Sequence, residues 1–106
     1  MATARGFELI NNGAFVVSIH AIYTDSAGDQ QNTPISGNFP LGTTETATLE
    51  KCAITPNDWV QLGIWVQAGD DRTGSPNFRY DPNGPIQAYS ISGTTLDSTV
   101  TYIGSR

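Results

Sequence analysis

Trp59-Val60-Gln61-Leu62-Gly63-Ile64-Trp65-Val66-Gln67-Ala68 alternates aliphatic and other residues from end to end. Val60, Leu62, Ile64, Val66 and Ala68 make one stripe; Trp59, Gln61, Gly63, Trp65 and Gln67 make the other. A period of two belongs to an extended strand with one face on a core, not to a helix. Residues 14–24 repeat the pattern, with Phe15, Val17, Ile19, Ala21 and Tyr23 on one face and Ser18, His20 and Thr24 on the other. Shorter stretches at 7–10, 31–35, 44–50, 78–80, 86–92 and 99–103 read as strands as well. Residues 44–49, Thr-Glu-Thr-Ala-Thr-Leu, are rich in β-branched side chains that suit a pleated surface. The longest helical reading is a single turn at Thr55-Pro56-Asn57-Asp58. Eight strands in 106 residues predict an all-β fold: one antiparallel, immunoglobulin-like β-sandwich forming a single domain over residues 1–106. Its predicted core is Phe15, Val17, Ile19, Leu49, Val60, Leu62, Ile64 and Val66.

The composition agrees with this and removes several functions. Eleven Gly and six Pro supply turns, while only 14% of residues are charged, against about 25% usually. Five Lys+Arg face ten Asp+Glu, for a net charge of −5, which excludes nucleic acid as a main partner and disfavours anionic lipid. A single His and a single Cys exclude an intramolecular disulfide and a His- or Cys-rich zinc site. Residues 1–6 do not read as a signal peptide, and no apolar run is long enough to span a membrane.

Turn chemistry places the loops. Asn12-Gly13 between two apolar runs reads as a type I′ hairpin, and 26–29, 37–42, 69–76, 81–84 and 93–98 read as turns or loops. If consecutive strands run antiparallel, connections alternate between the two ends of the sandwich. Asn12-Gly13 then shares one end, the tip, with 37–42, 69–76 and 93–98. The tip holds Phe39, Leu41 and Leu96 beside Asp70, Asp71, Arg72 and Asp97. Two readings stay open for its apolar side chains: a contact surface, or a plug for the end of the core.

The string Ile91-Ser92-Gly93-Thr94-Thr95-Leu96, taken with Gly13-Ala14-Phe15-Val16 and the closing Thr99-Val100-Thr101-Tyr102-Ile103, resembles the C-terminal β-sandwich of the thiol-activated, cholesterol-dependent cytolysins. The resemblance implies a stand-alone, non-enzymatic, toxin-related recognition module for a membrane sterol, acting outside the cell. It carries the sterol-recognising Thr-Leu pair to Thr95 and Leu96, with Thr94 beside them. A hydroxyl can bond the sterol's one polar atom while an aliphatic neighbour packs on its rings. The Trp-rich, Cys-containing loop of that family has no counterpart in residues 69–76, which carry two acids and no aromatic. Cys52 lies elsewhere and reads as a small hydrophobe. The helical segments that would form membrane hairpins are not in this sequence, so recognition is expected rather than pore formation.

Other residues support different expectations. Trp59 and Trp65 share a strand face about 20 Å apart, and Trp65 with the tip acids gives a lectin-like alternative. Asp70, Asp71 and Asp97 offer oxygen ligands to Ca²⁺, at a spacing that matches no EF-hand loop; otherwise no cofactor is expected. His20 has no nucleophile or orienting acid placed beside it by the sequence, which reads as no enzyme. A strand edge rich in Thr and Gln without Lys guards leaves a homo-oligomeric, self-assembling subunit as a structural alternative.

Overall fold

The computed structural model describes residues 2–25 and 27–106. Ten strands follow in chain order: β1 (Thr3–Ala4), β2 (Gly6–Gly13), β3 (Val17–Thr24), β4 (Gln30–Pro34), β5 (Thr44–Thr48), β6 (Trp59–Val66), β7 (Arg72–Thr73), β8 (Phe78–Tyr80), β9 (Ile86–Thr94) and β10 (Asp97–Ser105). One sheet runs β1-β8-β6-β3-β4, with β7 also on β6; the other runs β10-β9-β2-β5. No described residue is helical, and Thr55–Asp58 closes a turn in which the Asp58 amide donates to the Thr55 carbonyl.

The stripes read from the sequence face the space between the sheets. All eight predicted core residues are buried. They are joined by Phe7, Leu9, Phe78, Tyr89 and Ile91. Phe7 of one sheet meets Phe78 of the other with ring centroids 6.3 Å apart. Apolar burial on both inner faces is the main force holding the layers together.

The sandwich is mixed rather than purely antiparallel: β2 runs parallel to β9, and β1 parallel to β8. One expectation is corrected outright. Asn12-Gly13 is not a hairpin, because β2 continues through Gly13 beside Gly93, and β3 lies in the other sheet. The buried Asn11 side chain makes that crossing. Its Nδ2 donates to the carbonyls of Phe15 (2.8 Å) and Phe39 (3.3 Å), and its Oδ1 accepts the Gly13 amide at 3.0 Å. Gly13 is small for a packing reason, since a Cβ there would overlap the Phe15 ring. The stripe of β6 also stops early. Asp71 Oδ1 accepts the Val66 amide at 3.1 Å, and Ala68 turns out of the strand at φ 58°.

The two lateral edges of the sandwich differ. On the β10 side, Gln87 Nε2 donates to the Thr3 carbonyl and its Oε1 accepts the Tyr102 hydroxyl at 2.6 Å, while Arg72 Nε donates to Ser98 Oγ at 2.9 Å. The Gln87–Thr3 and Arg72–Ser98 bonds stitch one sheet to the other, and the Tyr102 bond holds Gln87 in place from within its own sheet. On the opposite side, a groove of about 610 Å³ separates β4 from β5, with Ile35, Ala47 and Cys52 along its apolar floor.

Candidate recognition site

The register of β9 on β10 pairs Thr94 with Asp97, which leaves Thr95-Leu96 as a two-residue turn. Gly93 supports it with φ +106°, and a Cβ there would overlap the Asp97 carbonyl. This closing hairpin is tied to its neighbours. The Ala14 amide donates to the Gly93 carbonyl, and the Asp70 amide donates to the Thr95 carbonyl, both at 3.0 Å. Gly69 lies so close to Thr95 that a Cβ would strike its carbonyl. On the other flank of β2, the Gly42 amide donates to the Asn11 carbonyl at 2.8 Å, and Gly42 turns at φ +83°.

Strand parity therefore collects one end as expected: Asn12-Gly13, residues 40–42, 69–72 and 93–96 lie together. The later part of the 69–76 stretch departs, since the Gly74 amide returns to the Leu62 carbonyl in the body of the sandwich. Leu96 (69% exposed) and Leu41 (58%) are the two most exposed large apolar side chains described. They flank the ends of β9 and β2, about 10–15 Å apart by strand spacing. Thr94 is exposed and Thr95 half-buried, and among the described residues neither hydroxyl has a hydrogen-bond partner in the chain.

Phe39 is a correction. It was expected at the contact surface but is 2% exposed, because its backbone pairs with Val17 and carries the ring into the core. Of the three apolar tip residues, one plugs the core and two face outward. The acids also separate in role. Asp71 caps β6, and among the described residues no group of three or more His, Cys, Asp or Glu side chains is placed to hold a metal ion.

A second surface lies on the outer face of the larger sheet. Trp65, 51% exposed, stacks on His20 at 4.3 Å and 18°. His20 Nδ1 donates to Asn32 Oδ1 at 2.9 Å. A shallow groove of about 410 Å³ beside them is lined by Ser18, Asn32, Ser36, Asn38 and Trp65. Trp59 is occupied separately, with the Arg79 guanidinium 3.8 Å over its ring. The stacking partners of both Trp residues escaped the sequence reading, since they come from other strands. Ser36 Oγ donates to the Gly37 carbonyl and accepts the Ile19 amide, so its hydroxyl is committed to the backbone. Cys52 is half-buried against the core, and burial raises its thiol pKa, which keeps it protonated and unreactive at neutral pH.

Burial lowers the His20 pKa below its ordinary 6.5, outweighing the Asn32 hydrogen bond and the Asp71 charge. The unfolded chain thus takes up this proton before the folded one as pH falls. The contribution is intact above about 6.5 and is lost as pH drops toward the lower folded pKa. Thermal melts should show a fall in melting temperature from pH 7 to 5 that His20→Gln flattens; an unchanged slope in that variant would refute the assignment. Asp25, whose pKa is lowered by hydrogen bonds from Gln31 and the Asp29 amide, acts in a separate window below 3.8.

No protein-family model matches the chain, and no characterised protein matches it in sequence. Among solved structures it is similar to the membrane-binding domain of pneumolysin, at 19% identity and TM-score 0.46 over 92% of this chain and 94% of that one. It is also similar to a pneumolysin described as a sugar-binding protein, at 20% identity and TM-score 0.45 over 95% of this chain. A non-hemolytic pneumolysin from Streptococcus pneumoniae matches at 19% identity and TM-score 0.45 over 93% of this chain. The chain spans about a quarter (23%) of the full-length toxins it matches. Each of these matches is a likeness at under 25% identity with a TM-score below 0.5.

Proposed function

We propose that this chain is a non-enzymatic recognition module whose tip seats on an uncharged ligand at the outer surface of a membrane, a sterol above all. The observation that carries the reading is the tip itself. The two most exposed aliphatic side chains, Leu96 and Leu41, project from one end of one sheet, with the Thr94 and Thr95 hydroxyls beside Leu96. Leucine at a headgroup boundary gains by leaving water, and a free hydroxyl can meet the sterol's alcohol. No described helix is long and apolar enough to cross a membrane. The net charge of −5 is tolerated at a neutral surface and opposes binding to an anionic one. Two shallow side chains gain a few kcal/mol at roughly 25 cal/mol per Å², much of it consumed by immobilising the protein. A single copy therefore binds at about micromolar or weaker, and improves with multivalency.

Flotation with neutral phosphatidylcholine vesicles, with and without cholesterol, tests this. Binding should rise with sterol content and weaken in Thr95→Ala. Indifference of the wild type to sterol would end the sterol assignment.

A second reading is supported by the Trp65 groove. A half-exposed indole next to Asn32, Asn38 and Ser18 offers a flat apolar face and polar neighbours, the pair of features that a sugar ring uses. A glycan array would separate the readings: signal lost in Trp65→Ala and kept in Leu96→Ala favours carbohydrate.

A further inference from the structure

We infer that β5 is a self-complementary edge, through which two copies of this chain pair about a two-fold axis into one continuous sheet. The hydrogen-bond register fixes which groups are free. Thr43 O accepts the Asn11 amide of β2, and Leu49 N donates to the carbonyl of Arg5, the residue just before β2, each at 3.0 Å. In an antiparallel ladder bonding residues alternate. Glu45 and Ala47 thus also point their backbone groups at β2, opposite Leu9 and Phe7. The N–H and C=O groups of Thr44, Thr46 and Thr48 point away from the sheet, and among the described residues none of these N–H groups has a partner. The seam beside them is an open groove, so the other sheet does not cover this edge.

The two edges along the seam are not equivalent. By the same parity β4 turns Gln30, Asn32 and Pro34 outward, since Ile35 N and Asp25 N bond across the β3–β4 ladder. Pro34 has no N–H, which blunts that edge. β5 carries no proline and no lysine, the usual guards against pairing.

The sequence of β5, Thr44-Glu45-Thr46-Ala47-Thr48, reads well against its own reverse. Centred on Thr46, an antiparallel copy sets Thr46 opposite Thr46, Thr44 opposite Thr48 and Glu45 opposite Ala47. The outward-pointing N–H and C=O groups of the three threonines then exchange bonds, Thr–Thr pairs line one face, and no two carboxylates oppose. This is an isologous interface, which closes as a dimer and does not propagate. A second copy fits this edge better than an unrelated peptide, because both sides of the match are written in one strand.

The pairing has a functional consequence, which rests on the tip reading above. The two β5 strands run in opposite directions, so the two tips project from opposite ends of the dimer. Such a dimer bridges two membranes instead of doubling its grip on one.

Size-exclusion chromatography with light scattering, at submillimolar protein, should give about twice the 11.3 kDa chain mass. Thr46→Pro removes an outward N–H without touching the β2 ladder, and should raise the dimer dissociation constant at least about tenfold. Thr46→Lys and Thr46→Glu each oppose like charges at the axis and should run as monomers, while their equimolar mixture recovers the dimer. A monomeric wild type, a dimer indifferent to Thr46→Pro, or a mixture that stays monomeric overturns the inference. Vesicle clustering by wild type but not by Thr46→Lys, with flotation equal in both, supports the bridging clause, and equal clustering by both refutes it. The mass measurement needs no membrane, so failure of the dimer and failure of the tip reading are distinguishable.

Discussion

Asn11→Ala should lower the stability of the fold by about 3 kcal/mol or more, the largest loss expected from any single polar truncation here. Asn11 is fully buried and serves three backbone groups: the carbonyl of Phe15, the amide of Gly13, and the carbonyl of Phe39, which also accepts the Val17 amide. Truncation leaves the Phe15 carbonyl and the Gly13 amide unmet, each worth about 1–3 kcal/mol, while the Phe39 carbonyl keeps the Val17 amide. A domain of this size holds roughly 5–15 kcal/mol in total, so the variant should unfold at markedly lower denaturant. Asn11→Asp should also be poor, since a carboxylate can accept from Gly13 but donates to neither carbonyl. Asn12→Ala, one residue on and exposed, is the control and should stay within about 0.5 kcal/mol of wild type. Urea unfolding followed by fluorescence of the two Trp residues measures all three. A loss below about 1 kcal/mol in Asn11→Ala would mean that the crossing between sheets is held by packing alone.

That same residue marks where the sequence stops being legible. Strand alternation is a local property, so the core stripes of β3 and β6 could be read directly, and every predicted core position is buried. Parity alone gathered the tip loops, because it needs only strand count and direction. Asn12-Gly13 misled because its turn chemistry is right for a hairpin while its tertiary context is not. Asn11 spends its amide on Phe15 and Phe39, and the latter is 28 positions away in sequence. The burial of Phe39 was hidden for the same reason: an isolated bridge to Val17, not an apolar period, takes it inward. The short strands β1 and β7 are two residues each, below the length at which alternation exists as a signal. The stacking of Trp65 on His20 crosses from β6 to β3 and depends on a register that no single segment reveals.

The double variant Leu41→Asp/Leu96→Asp should reduce binding to neutral, cholesterol-containing vesicles at least about a hundredfold while leaving the fold intact. Full burial of a leucine side chain is worth about 1.5–3 kcal/mol, and Leu41 and Leu96 have 58% and 69% of their surface left to bury. Together they supply about 3 kcal/mol on seating, or roughly a hundredfold in affinity. Two carboxylates add a desolvation penalty in the same direction and raise the negative charge beside Asp70 and Asp97. Stability should change little, because an exposed loop side chain that touches no core residue is usually within about 0.5 kcal/mol of neutral. The control is Ile103→Asp. Ile103 is 43% exposed, on a strand whose neighbouring Gly104 pairs with Ala88, near the start of β9 and thus toward the end away from the tip. If apolar exposure in general drove adsorption, Ile103→Asp would weaken flotation as each single leucine variant does. If the tip is the contact, Ile103→Asp floats like wild type and each single leucine variant loses about tenfold. Equal loss in the Ile103 and leucine variants would sink the tip assignment and leave the Trp65 groove as the surface to pursue.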